Sequence, residues 1–131
     1  MALPEFIMVD KAPQPVATFS HVAQIDGWVF LTGQMPTWPG EPDKPLPQGI
    51  EAQTRRVMDN LIIVLDGVGL DLENVVQARV YITEFDRDYD AMNQTYQSYF
   101  EKGKLPARTC IGVTGLAVGA LVEIDVVARR P

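Results

Sequence analysis

The chain is poor in the residues that bind metals and cross-link proteins. Its 131 residues include one cysteine, Cys110, and one histidine, His21. A lone cysteine permits no internal disulfide, and this pair cannot build a structural zinc site, so no metal is expected. Basic residues are also scarce, with 11 Lys and Arg against 17 Asp and Glu and a net charge of −6. Broad binding to a phosphate backbone needs a basic face, so no nucleic-acid partner is expected. A local basic pocket remains compatible with that balance. The apolar runs fall far short of a membrane span, and no membrane partner is expected. The start, MALPEFIMVDKAPQP, lacks the basic and long apolar regions of a signal peptide, which points to a cytoplasmic location. DGVGLDLE lacks the lysine and the spacing of a phosphate-binding loop.

What is present suits one globular domain over residues 1–131, with 47% hydrophobic and 21% charged residues. Phe6–Val9 is short and β-prone. Phe19–Ile25 and Trp28–Thr32 read as strands around Asp26-Gly27, the dipeptide that favours a tight type I′ hairpin. Half of the 10 prolines then fall between Pro36 and Pro47. Proline fixes φ and removes a donor, so this is a loop. Its length suits either the border of a site or a plain surface insertion.

From Ile50 the period changes. Ile50, Val57, Leu61, Val64, Leu65 and Val68 recur at helical spacing, with charges largely between them, and Gly67 and Gly69 supply a stop. Asn74–Thr83 is β-branched and reads as a strand. A second helix follows an acidic start, with Phe85, Tyr89, Met92, Tyr96, Tyr99 and Phe100 on one stripe, a pattern that reads as core. Asn93-Gln94-Thr95 matches a glycosylation acceptor but lies inside this helical pattern and is set aside. Two strands, Ala107–Val113 and Ala120–Arg129, close the chain as a hairpin. The order predicts an α+β fold, a mixed sheet with two helices on one face.

The other sheet face poses a problem. On the last strand Val122, Ile124 and Val126 point one way, while Leu121, Glu123, Asp125 and Val127 point the other. Two helices cannot cover both faces. A half-apolar open face suggests self-association.

The candidates for chemistry are Arg108, Glu123 and Asp125. Arg108 and Cys110, in PARTCIGV, share one strand face. Arg108 reads as a surface ion-pair partner or as the wall of a site, since a guanidinium can fork onto a carboxylate. Glu123 lies among apolar residues in ALVEIDVVA, where a carboxylate must be paired, hydrated or functional. A Cys110–His21 nucleophile pair is conceivable, though nothing in the sequence places the two together.

The segments GWVFLTGQMP, GIEAQTRRVMDNLIIVLDGVGLDLENVVQARVYIT, MNQTYQSYF, PARTCIGV and ALVEIDVVA stand in the order of corresponding segments in the RidA/YjgF family of enamine/imine deaminases. The resemblance runs from about Ala12 to Arg129 and is most specific in PARTC and the later VEI. It implies a chorismate-mutase-like fold and a homotrimer whose sheets face inward, with sites in the clefts between subunits. Arg108 falls on the family's carboxylate-binding arginine, and Glu123 on the acid that orients and activates water. Cys110 falls where a main chain lies near substrate. Gly33 falls in the family's SGQ segment, here Thr32-Gly33-Gln34, and Asn93 on an asparagine of the second helix. Two departures are visible: Phe19 stands where deaminating members usually have tyrosine, and Thr32 replaces serine.

The implied reaction is hydrolysis of a small 2-imino or enamine acid to a 2-keto acid and ammonia, as by 2-iminobutanoate/2-iminopropanoate deaminases. An imine is already electrophilic, so no cofactor is expected. The alternative is a non-catalytic trimer that binds a small carboxylate through Arg108, as a sensor or interaction protein. RNA cleavage, also attached to some relatives, is disfavoured by the acidic charge.

Overall fold

The computed structural model describes residues 2–131. Its regular elements are β1 (Glu5–Ile7), β2 (Val22–Ile25), β3 (Trp28–Gln34), α1 (Ile50–Gly67), β4 (Val75–Ile82), α2 (Phe85–Gln97), β5 (Ala107–Gly112) and β6 (Val122–Arg129). Short 3₁₀ turns at Leu72–Asn74 and Ala117–Gly119 precede β4 and β6. The Asp26-Gly27 hairpin forms as the sequence predicts. Both residues have positive φ, 53° and 83°, which a type I′ turn requires.

The last two strands do not form a hairpin. The sheet order is β1-β2-β3-β6-β4-β5. β6 lies between β3 and β4 and is antiparallel to both, while β5 pairs in parallel with β4 at the edge. The difference follows from burial. β6 buries Val122, Ile124, Val126 and Ala128, which suits a central strand whose backbone groups are paired on both sides. β5 has no fully buried residue and four exposed ones, and the α2 crossover lets it run parallel to β4.

The strand expected from Phe19 begins only at Val22. His21 turns inward instead and is 2% exposed. The Val9 N–H donates to His21 Nδ1 at 2.8 Å, which leaves Nε2 to carry the proton and donate to the Pro13 carbonyl at 2.8 Å. The ring therefore pins the segment before β2 to the body of the protein.

α1 and α2 pack against each other and against the same side of the sheet. Val57, Leu61, Val64 and Leu65 of α1 meet Val29, Val80, Ile82 and Ile124 in one core. Each fully buried aliphatic side chain of this kind contributes about 2 kcal/mol. Met92 and Tyr96 of the aromatic stripe on α2 are buried, and Phe85, Tyr89, Tyr99 and Phe100 pack at the core's edge.

The opposite face is open. Phe6, Ala23, Phe30 and Val127 stand in register across β1, β2, β3 and β6. Phe6 is 69% and Phe30 45% exposed, which makes this the apolar face the sequence predicts. Among the described residues no helix is long and apolar enough to cross a membrane.

Candidate active site

Arg108 and Cys110 share the helix side of β5, both half-buried while Thr109 and Ile111 are exposed. Cys110 packs on the core. The Arg108 guanidinium carbon lies 5.0 Å from the Tyr96 ring centre, a favourable cation–π contact that fixes its direction. Among the described residues Arg108 has no salt-bridge partner; the arginines paired to carboxylates are Arg55, Arg79 and Arg87. Two buried oxygens of α2, Tyr96 Oη and, one turn earlier, Asn93 Oδ1, also lack hydrogen-bond partners among the described residues. Burial pushes the Cys110 thiol up from its ordinary value, with Arg108 opposing the shift. A thiol so placed is a poor nucleophile at neutral pH.

Glu123 occupies the other face. It alternates with buried Val122 and Ile124 on β6 and stands opposite Tyr81. A bulge in β3 lies beside it. Leu31 pairs with Val126 and Gln34 with Ile124, so Thr32 and Gly33 together face Asp125. Bulges re-aim the chain and leave room for side chains. Here the Glu123 carboxylate occupies the space where any side chain on residue 33 would begin. Gly33 is thus required for close approach to this carboxylate. Burial raises the Glu123 pKa, and the charge of Asp125 raises it further. The carboxyl therefore takes a proton more readily than an ordinary glutamate, a useful property in a group that must accept and return protons. Phe19 joins Gly33, Gln34 and His21 in a narrow crevice next to the bulge, and Thr32, the chain neighbour of Gly33, is half-buried.

The candidate residues therefore form two sets. Arg108, Cys110 and Asn93 lie on the helix side of the sheet's β5 edge. Glu123, Gly33, Thr32 and Phe19 lie around the bulge on the open side. One chain does not bring the sets together. The Cys110–His21 pair does not form, because His21 precedes β2 and Cys110 lies in β5, toward opposite ends of the strand order. Among the described residues no group of His, Cys, Asp and Glu could hold a metal ion.

Comparison with known proteins bears on the family. The family described as Endoribonuclease L-PSP matches residues 9–130. The Rid protein YyfA from Yersinia pestis superposes with a TM-score of 0.89 at 31% identity, covering 97% of this chain and 99% of that one. The chain belongs to the RidA/YjgF family. A RutC family protein from Pyrococcus abyssi is 33% identical over 126 residues, 96% of this chain and 97% of the relative. The mouse 2-iminobutanoate/2-iminopropanoate deaminase is 31% identical over 122 residues, 93% and 88% of the two chains.

Within this RidA/YjgF fold, sequence reasoning missed the neighbours of both sets. Tyr96 was read only as core, yet its ring carries Arg108. On the open face Arg79 grips Asp125 through two nitrogens at 2.8 and 3.1 Å, and the Tyr81 hydroxyl donates to Asp125 at 3.2 Å. The signal was available in part: Arg79 and Tyr81 alternate on one strand, as Glu123 and Asp125 do on another.

Proposed function

We propose that the protein hydrolyses small 2-imino or enamine acids to 2-keto acids and ammonia. The observation that carries this reading is Arg108, a half-buried guanidinium on a tyrosine ring with no carboxylate partner among the described residues. The mouse deaminase among its relatives points to the same chemistry.

In this reading Arg108 holds the substrate carboxylate by paired, charge-assisted hydrogen bonds. The imine carbon beside that carboxylate is thereby fixed for attack. Water adds to it, with Glu123 taking a proton from the water. Returning that proton to the nitrogen gives a carbinolamine; the proton of its new hydroxyl then passes to the nitrogen as the C–N bond breaks and the C=O bond forms, and ammonia departs to leave the 2-keto acid. The two sets of residues lie on opposite faces, so the complete site forms between copies, Arg108 from one and Glu123 from the next. A homotrimer with its open faces inward provides such clefts and covers Phe6 and Phe30.

The test is ammonia release from freshly generated 2-iminopropanoate, measured against the spontaneous rate. The wild type should accelerate it. Arg108→Ala should return it to background, a loss of a few kcal/mol in positioning, and Arg108→Lys should rescue poorly because an ammonium cannot fork. Near-full activity in Arg108→Ala would overturn the clamp. Arg108-dependent binding of pyruvate without turnover would instead mark a carboxylate-binding trimer. RNA cleavage, named in the family's description, finds less support in a chain of net charge −6.

A further inference from the structure

The proline-rich loop encloses a second space next to the Phe19–Gly33 crevice. This cavity of about 340 Å³ is lined by Trp38, Lys44, Pro45 and Leu46 of the loop, with Val16 and Val118 opposite. Pro13, Gln14, Val16 and Thr37 line both the crevice and the cavity. The two spaces therefore abut through a shared wall. The volume matches the smaller ligand pockets, which begin at about 300 Å³.

The loop is held in place. Fully buried Asn60 donates to the carbonyls of Met35 at 3.0 Å and Thr37 at 2.8 Å. The Trp38 indole N–H donates to the Pro45 carbonyl at 3.0 Å. Lys44 lies 3.9 Å from the Trp38 ring centre and 3.7 Å from a Glu41 carboxylate oxygen, so its charge is already answered within the loop. Opposite, Val118 has φ 57°, a conformation a β-branched residue adopts only under constraint. Such strain gathers where a fold shapes a site. The Arg56 guanidinium carbon also lies 5.0 Å from the Trp38 ring centre, so what remains for a ligand is mostly apolar surface beside an indole that already carries two cations.

We propose that this cavity is the side-chain subsite of the candidate active site, and that it selects 2-imino acids with a large apolar or aromatic side chain. Trp38 is the specificity-determining residue. The inference rests on the proposed function for its reaction, but its binding test stands apart from turnover.

Two stable 2-keto acids, pyruvate and phenylpyruvate, are titrated calorimetrically into the wild type, Trp38→Ala and Leu46→Trp. The wild type should bind phenylpyruvate at least about tenfold more tightly than pyruvate, the discrimination an apolar pocket gives for a few buried carbons. Trp38→Ala should lose most of that preference while pyruvate affinity stays within about twofold. Leu46→Trp fills the cavity while leaving Trp38 and its hydrogen bond in place, and should lose the preference too. Equal affinity for the two acids, no binding of either, or a preference that survives both variants would overturn the subsite. Failure of the ammonia-release assay alone would overturn the reaction and leave this binding result to stand or fall by itself.

Discussion

The helix-covered face of the sheet and its open face solve opposite problems. The covered face is a sealed aliphatic core, and at its β5 edge Arg108 rests on the Tyr96 ring. The open face is a band of exposed Phe6, Phe30 and Trp28 that gives way to a polar patch of Glu123, Asp125, Arg79 and Tyr81. The first offers a positive charge with no carboxylate partner among the described residues. The second offers a carboxyl whose protonation is displaced by burial and a like charge. In the proposed reading neither is a site alone, and the difference teaches how chemistry divided between two faces would need a second copy to complete it.

The open-face half breaks most severely through Glu123→Gln. Size and an oxygen acceptor are kept, and the ability to take a proton is lost. Turnover of 2-iminopropanoate should fall by roughly two to four orders of magnitude, with pyruvate binding through Arg108 little changed. Unchanged turnover in an intact assembly would make Glu123 a structural group.

Asp125→Asn should sharpen the account by shifting a pH profile. The ordinary Glu value is 4.5, and the folded value is raised by burial first and by Asp125 second. The neutral carboxyl is thus favoured in the folded state. Its contribution to stability is fully present below the ordinary value and is lost as pH rises through the raised one. Activity that needs the ionised form rises across the same window. Asp125→Asn removes the second cause, so the acid limb of turnover should move to lower pH. A limb that stays in place would mean that another group sets it.

The smallest effect belongs to Cys110→Ser on the covered face. Imine hydrolysis needs no covalent step, and burial holds the thiol protonated. Turnover should stay within about threefold of wild type. Complete loss with the fold intact would favour covalent chemistry.

Much of this was legible in residue order. The Asp26-Gly27 turn, the stripe of α1 and the alternation of β6 are local signals, and each forms where its pattern lies. Strand pairing is not local. Nothing in Ala107–Gly112 or Val122–Arg129 says that β6 will insert between β3 and β4, so the final hairpin was misread. Phe19 was misread because a single side chain, His21, ties its segment to Val9 and Pro13 and delays β2. For the site, spacing placed Arg108 and Cys110 on one face, and the family resemblance supplied Glu123 and Gly33. The Glu123–Gly33 contact depends on a bulge that composition does not reveal, and Tyr96 was hidden among aromatics that serve the core.

The division of the site between copies is tested most directly by mixing two inactive variants. Arg108→Ala and Glu123→Gln are each prepared alone, then unfolded together in equal amounts and refolded. If one copy supplies Arg108 and the next supplies Glu123, random assembly of a ring restores about one intact site in four. The mixture should therefore regain roughly a quarter of wild-type turnover, while each variant refolded alone stays inactive. A mixture as inactive as its two components, in assemblies shown to contain both, would contradict the account and place Arg108 and Glu123 in separate roles.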